Sequence, residues 1–219
     1  MENSIAFIIC GNNEEMYNES LLYIDNLIVP DGFEIEKIVV KDAKSITSAY
    51  NEAMKKSISK YKVYLHQDTF IINRNFINDM LNIFSRKNIG MFGAIGCCNL
   101  PQNAIWWESL NKYGMVYENS SVIMKKLAFY EAKTTEDFAV VESIDGFIMV
   151  TQYDVEWRED IFDGWHFYDA SQCTEFRKKG YDLVVPKQDT PWFVHDCGII
   201  NVSNGYDEYR HKFIEEYYN

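Results

Sequence analysis

The chain has 219 residues, with 21 Lys+Arg against 33 Asp+Glu and a formal net charge of −12. That length fits one domain able to bury roughly 70% of its unfolded surface without disulfide or metal staples. The acidic balance argues against nucleic acid and anionic membrane as partners, and 47% apolar with 16% aromatic residues excludes a disordered chain. The longest apolar runs, such as Ile5 to Cys10, are too short to span a bilayer. Met1-Glu2-Asn3 opens neither a basic segment nor a long apolar one, so no signal peptide and a cytoplasmic location are expected.

Ser4 to Cys10 reads as a buried strand, closed by the turn Gly11-Asn12-Asn13. Residues 14–27 carry helical spacing through Met16, Leu21, Leu22, Ile24 and Leu27, and Pro30-Asp31-Gly32 turns the chain into a second strand, 34–40. Ser45 can cap a helix over 45–60 that puts Ala49, Ala53, Met54 and Ile58 on one face. A third strand, Tyr61 to Leu65, runs into His66-Gln67-Asp68. Asn75 can cap a helix to about Ser85, and 89–98 is a glycine-rich strand. This alternation predicts an α/β fold, a mostly parallel sheet covered by helices, with ligands beyond the carboxyl ends of its strands. The turns at Gly11 to Glu14, Lys41-Asp42 and His66 to Asp68 then converge on one crevice.

The second half is less regular. Residues 99–140 suggest short strands or hairpins, and 143–151 a strand holding Asp145-Gly146. An amphipathic helix passes through Phe176 and ends at Gly180. Residues 181–185 form a last strand, Trp192 to His195 follows, and 206–219 is a charged, aromatic, helical tail. One continuous domain is expected, with a regular half (about 1–98), a less regular half (about 99–203) and the tail (204–219).

The five cysteines form no CxxC pair, and most read as small buried side chains in a reducing compartment. A cysteine nucleophile is the alternative, with no cysteine singled out. GxGxxG, GxxxxGK[ST] and GxSxG are all missing, which disfavours dehydrogenase, P-loop enzyme and α/β-hydrolase. Gly90, Gly93 and Gly96 fall within a strand, where close packing against a neighbour explains them. His66 and Asp68, two apart on an extended chain, point the same way and offer two metal ligands, or else a polar strand end with a capping Asp. Trp106 and Trp107 read as core; Trp165 is open between core and a ligand-stacking face, and His211 reads as surface.

Taken in order, these segments resemble the nucleotide-sugar half of a GT-A glycosyltransferase of family 2. The resemblance rests on Asn12 after the first strand, Asp42 after the second, Asn51 in Ala49-Tyr-Asn-Glu-Ala53, and the tripeptide His66-Gln67-Asp68. It continues through Ile144-Asp-Gly-Phe-Ile-Met149, Phe162-Asp-Gly-Trp-His-Phe-Tyr-Asp169 and Trp192-Phe-Val-His195, covering about residues 4–200. It implies a Rossmann-like GT-A fold with a smaller mixed acceptor-side part, and a divalent cation (Mn²⁺ or Mg²⁺) held by Asp68 and His195. Asp169 is implied as the catalytic base, Asp145-Gly146 as lying beside the donor sugar, and Trp165 and His166 as acceptor contacts. Two positions depart from the family pattern: His66 stands where the tripeptide usually has Asp, and Tyr168 where the acidic pair has Glu.

The function implied is inverting transfer from a nucleotide sugar to a hydroxyl of a glycan or glycolipid. Asn12, Asn13 and Glu14 suit ribose and base contacts, Gly11 and Gln67 border them, and Asp42 suits the imide N–H of uracil, favouring a UDP-sugar. The start of the helix near Asp169 would favour its ionised form. The other readings are a non-catalytic nucleotide- or sugar-binding module and a sugar-phosphate nucleotidyltransferase. Acidic Gly11-Asn-Asn-Glu-Glu15 counts against the last. Oligomeric state stays open, a homo-oligomer included.

Overall fold

The computed structural model describes residues 2–120, 123–132, 134, 137–199 and 202–218. The first half runs β1 (Ser4–Cys10), α1 (Glu14–Asp25), β2 (Glu34–Val40), α2 (Ile46–Lys56), β3 (Tyr61–His66), β4 (Thr69–Ile71), α3 (Phe76–Phe84), β5 (Ile89–Gly93) and β6 (Ile95–Cys97). After a 3-10 turn at Trp106–Glu108 come β7 (Lys112–Asn119), β8 (Met124–Tyr130), β9 (Phe138–Val141), β10 (Ser143–Ile144) and β11 (Ile148–Thr151). The chain closes with α4 (Tyr168–Lys178), β12 (Asp182–Pro186), β13 (Phe193–His195) and α5 (Tyr206–Tyr217).

Every residue of β1 is buried, and alternate side chains enter two cores. Ile5, Phe7 and Ile9 pack with Tyr17 and Ile24 of α1 and Phe76 and Met80 of α3. Ala6, Ile8 and Cys10 pack with Ala49, Tyr50 and Ala53 of α2 and Cys173 and Phe176 of α4. Each fully buried Ile or Phe contributes about 1.5–3 kcal/mol, so the run that marks β1 in the sequence also anchors both layers.

The large sheet has the order β2-β1-β3-β11-β5-β12-β9, and a smaller one the order β10-β6-β7-β13-β4 with β8 on β7. The large sheet is mixed, not mostly parallel. Among its neighbour pairs, β1–β2, β1–β3 and β5–β12 are parallel, while β3–β11, β11–β5 and β12–β9 are antiparallel. The causes are β11, which returns between β3 and β5 in the opposite direction, and β9, which runs against β12 at the sheet edge.

Two expected strands, 89–98 and 143–151, each break and cross between sheets. The first breaks at Ala94, the second at Asp145-Gly146-Phe147. Their crossing is close: a Cβ on Gly93 would lie 2.0 Å from Ile144 Cγ2, and one on Gly96 2.2 Å from the Ser143 carbonyl oxygen. Close packing is therefore what the glycine spacing serves.

Ser45 caps α2 through a reciprocal box, accepting from Ser48 N at 3.1 Å while Ser48 Oγ accepts from Ser45 N at 3.2 Å. The helix stops at Lys56, and Ile58 is 69% exposed rather than on the buried face. There the chain turns extended, and the Ser57 and Ser59 hydroxyls donate to Glu36. Asn75 does not cap α3. Its backbone (φ −88°, ψ 7°) lacks the extended form a cap needs, and its amide donates to Asp79 Oδ1 at 3.2 Å.

α5 packs on the segment before α4, burying Phe213 with Phe162, Phe167 and Ala170. That segment is held from two sides. Thr47 Oγ1 donates to the Phe162 carbonyl at 2.6 Å and Ile46 N to that of Gly164 at 3.2 Å. Opposite, the Tyr209 hydroxyl of α5 donates to Asp163 at 3.0 Å, over a Gly164 with no room for a Cβ.

Candidate active site

β1 pairs in register with β2 and β3, Cys10 standing opposite both Val40 and His66, so all three strands end at one edge. Their turns knit together. Asn12 Oδ1 accepts from Asp42 N at 2.8 Å, and Gln67 Oε1 accepts from Asn13 N at 2.8 Å. A Cβ on Gly11 would meet the Gln67 side chain at 2.3 Å, so glycine there lets the loops touch. Asn13 caps α1 by accepting from Met16 N at 3.3 Å. The structure thus brings Gly11, Asn12, Asn13, Asp42 and Gln67 together and leaves the Glu14 and Asp42 side chains exposed. Asn51 is not brought to this edge-loop network. It is buried, its amide donating to the Trp157 carbonyl and accepting from the Trp157 N–H, each at 2.9 Å.

β13 runs antiparallel to β4, pairing His195 with Thr69, and this swings the imidazole over Asp68. His195 Nε2 lies 3.6 Å and His66 Nδ1 3.9 Å from Asp68 Oδ1. Phe147 backs His195, its ring stacked at 4.7 Å and 16°. Asp68 Oδ1 and His195 Nε2 are both buried and without hydrogen-bond partners. Unpaired buried polar atoms are costly, and these two face one another with His66 beside them. Burial holds His195 down to about 4 and lowers His66 as well, so both imidazoles are neutral at neutral pH with lone pairs to offer. Two imidazoles and a carboxylate form a donor set that suits Mn²⁺. Around the same histidine, Glu118 and Cys197 supply a second group of donors.

The acidic part comes from the crossing at Asp145 and from the start of α4. Phe167 takes a left-handed backbone (φ 59°) immediately before Tyr168 and Asp169. Gly146 admits them: a Cβ there would lie 2.2 Å from the Tyr168 hydroxyl and 2.9 Å from Asp169 Cβ. Burial, reinforced by the Asp169 charge, pushes Asp145 up to about 7. Asp169 is also raised by burial, against the backbone N–H groups of Ala170, Asp169 and Gly146 that favour its charge. Loss of water thus raises Asp169 in spite of the helix start that favours its charge.

The two departures from the family pattern touch. His66 Nε2 and the Tyr168 hydroxyl form a hydrogen bond. The sequence marks Tyr168 only as a departure from the family's Glu; its partner, His66, is set by the fold.

Trp165 is 48% exposed, and His166 Nε2 meets Asn204 Oδ1 at 2.6 Å. Trp107 is 45% exposed, contrary to its core reading, because its ring packs on Tyr206 of α5 (5.6 Å), which also meets Phe167 and His166. This Trp107–Tyr206–His166 wall joins pieces remote in sequence, and no motif announced it. His211 is exposed, as expected.

The match to known families decides what this architecture is: residues 6–217 match the family described as "Glycosyltransferase like family". The chain belongs to that family. Its fold is GT-A-like and related to glycosyltransferase family 2. It is similar to TarS of S. aureus (TM-score 0.57, 10% identity, 92% of this chain and 37% of that one). It is also similar to the mannosyltransferase PcManGT of Pyrobaculum calidifontis in complex with GDP-Man and Mn²⁺ (TM-score 0.56, 11% identity, 100% of this chain and 65% of that one). TarS 1-349 in complex with UDP matches with a TM-score of 0.53 at 10% identity, over 90% of this chain and 60% of that one. The chain thus spans less than two thirds of each of these structures. No curated protein matches it in sequence. Among the described residues, no helix of this glycosyltransferase-like chain is long and apolar enough to cross a membrane.

Proposed function

We propose that the chain is a divalent-cation-dependent, inverting glycosyltransferase that moves a sugar from a UDP-sugar to a hydroxyl of a glycan or glycolipid. The observation that carries this reading is the pair of orphaned buried atoms, Asp68 Oδ1 and His195 Nε2, facing one another at the carboxyl edge of β3. Asp68 and His195, with His66, would hold the cation. When bound, that ion supplies Lewis-acid neutralisation of the departing diphosphate, which a chain of net charge −12 is poorly equipped to give.

The chain's own groups do the rest. Asp42 accepts from the uracil imide, and Asn12, Asn13, Glu14 and Gln67 border the ribose. Asp145-Gly146 lies against the donor sugar, with Trp165 and His166 on the acceptor side. Asp169 takes the proton from the acceptor hydroxyl as its oxygen attacks the anomeric carbon opposite the leaving diphosphate, which inverts that centre. A carboxylate raised by burial is the stronger base. For Nδ1 of His66 to present a bare lone pair, Nε2 must carry the proton and donate to the Tyr168 oxygen. Five free thiols suit the reducing cytoplasm, where we place the reaction.

Calorimetry with UDP, with and without Mn²⁺, tests the reading. Binding that needs Mn²⁺ and disappears in both Asp68→Ala and His195→Ala is the expected result. No UDP binding under either condition removes the donor assignment, and tighter binding of GDP than of UDP corrects the nucleoside.

A further inference from the structure

Glu118, His195 and Cys197 have ligand atoms within 4.8 Å of one another, and His195 belongs equally to the set with His66 and Asp68. The placement follows from the small sheet. β7 and β13 run parallel with Glu118 opposite His195, and Cys197 follows two residues on. Three further facts set this group apart from surface acids. Asn119 Oδ1, next to Glu118, is buried without a partner, as is His195 Nε2. Among the described residues, the Cys197 sulfur makes a long contact, 3.5 Å to the Asn119 carbonyl. Cys10, Cys97 and Cys173, by contrast, are fully packed into the fold.

We propose that Glu118, His195 and Cys197 form a second cation site, selective for a thiophilic ion such as zinc, and that filling it withdraws His195 from Asp68. A thiolate, an imidazole and a carboxylate are a zinc donor set. Ligands about 2.0–2.3 Å from a tetrahedral ion stand about 3.4–3.8 Å apart, a modest contraction of the observed spacing. The hard Mn²⁺ gains little from sulfur and takes Asp68 with the two histidines. One imidazole therefore answers to two ions of different softness, and zinc acts as an antagonist of the manganese-loaded form. Only that antagonism rests on the proposed donor site; the zinc site stands on its own residues.

Cobalt(II), a spectroscopic substitute for zinc, tests this on the metal-free protein. The expected result is a sulfur-to-cobalt charge-transfer band in the wild type that persists in Asp68→Ala and vanishes in Cys197→Ser. Cobalt affinity in Cys197→Ser should fall by at least the roughly 10–100-fold that loss of an outer-shell partner costs. Manganese binding, followed by its electron paramagnetic resonance signal, should show the converse: lost in Asp68→Ala, kept in Cys197→Ser, and displaced at a lower zinc concentration from the wild type than from Cys197→Ser, since zinc also competes directly for the imidazoles. Circular dichroism checks that each variant is folded. A wild type without the band, or cobalt affinity unmoved by Cys197→Ser, overturns the site. Zinc displacing manganese equally well from Cys197→Ser overturns the antagonism. A cobalt band without any manganese binding leaves the zinc site standing and removes the donor reading instead.

Discussion

The block β2-β1-β3 and the block β11-β5-β12 belong to one sheet but are built by opposite rules. In the first, strands run unbroken and parallel, and their turns bond to one another mainly through backbone N–H groups and amide oxygens. In the second, the chain crosses between sheets at Ala94 and Asp145-Gly146, and the latter crossing sets Asp145 beside Asp169 of α4. Regular structure makes the platform, and broken structure carries the reactive groups. Strands that pass from one sheet to another can aim a side chain where no continuous strand could.

If that division holds, damage where the Asp145 crossing meets the start of α4 should remove chemistry and spare nucleotide binding. Asp169→Asn is expected to lower transfer, or hydrolysis of the UDP-sugar, by about 10²–10⁴-fold. UDP affinity by calorimetry should stay unchanged; a parallel loss of both would dissolve the distinction between the blocks. In the wild type the rate should decline as pH falls through the titration of Asp169, which burial raises, since the proposed base must be ionised.

The crossing itself is open to attack. Gly93→Ala forces a methyl group onto Ile144 and should cost about 1–3 kcal/mol in urea unfolding, as overpacking does. Adding Ile144→Ala removes the colliding atom and should restore part of that loss, whereas no recovery would place the strain elsewhere.

Tyr168→Phe is a milder probe of the seam between blocks, since His66 then loses the group that fixes its tautomer. Manganese affinity is expected to fall by about tenfold, the lower end of what an outer-shell partner contributes. An unchanged affinity would mean that His66 is no ligand.

The smallest effect concerns Asp145. In the folded chain it keeps its proton up to about 7, while the unfolded chain releases it near 3.8. The folded state therefore binds more protons between those values, and stability declines as pH rises through that window. Asp145→Asn should remove this slope, raising the melting temperature near pH 8 and leaving it nearly unchanged near pH 4. Solvent at the crevice limits the gain to roughly 1 kcal/mol. A variant whose melting curve keeps the wild-type slope would relocate the buried proton.

How much of this could be read from the sequence follows the same division. The parallel block was legible because each apolar run ends in turn residues, Ser45 caps its helix, and residues two apart on a strand share a face. The glycine spacing at Gly90, Gly93 and Gly96 was legible as close packing, although not against what. The broken block was not, because hydrophobic pattern records burial and is silent on partner and direction. Hence 89–98 and 143–151 each looked like one strand, and β11 was not foreseen between β3 and β5. Asn51 fell within a segment that resembled a donor-site motif, yet its amide is engaged with Trp157 in the interior. Glu118 and Cys197 belong to no motif; only the pairing of β7 with β13 sets them beside His195.

The clamp on the segment from Phe162 to Gly164 gives the two halves different responses to heat. One jaw is the start of α2, rooted in the large sheet; the other is α5, a half-exposed helix whose described residues include only one that is fully buried, Phe213. Elements with so little interior contact open at free energies well below that of the whole fold. Warming should thus loosen Asp169, the proposed base, while the proposed nucleotide platform still stands, so that any transfer would fade over a range of temperature in which donor binding survives.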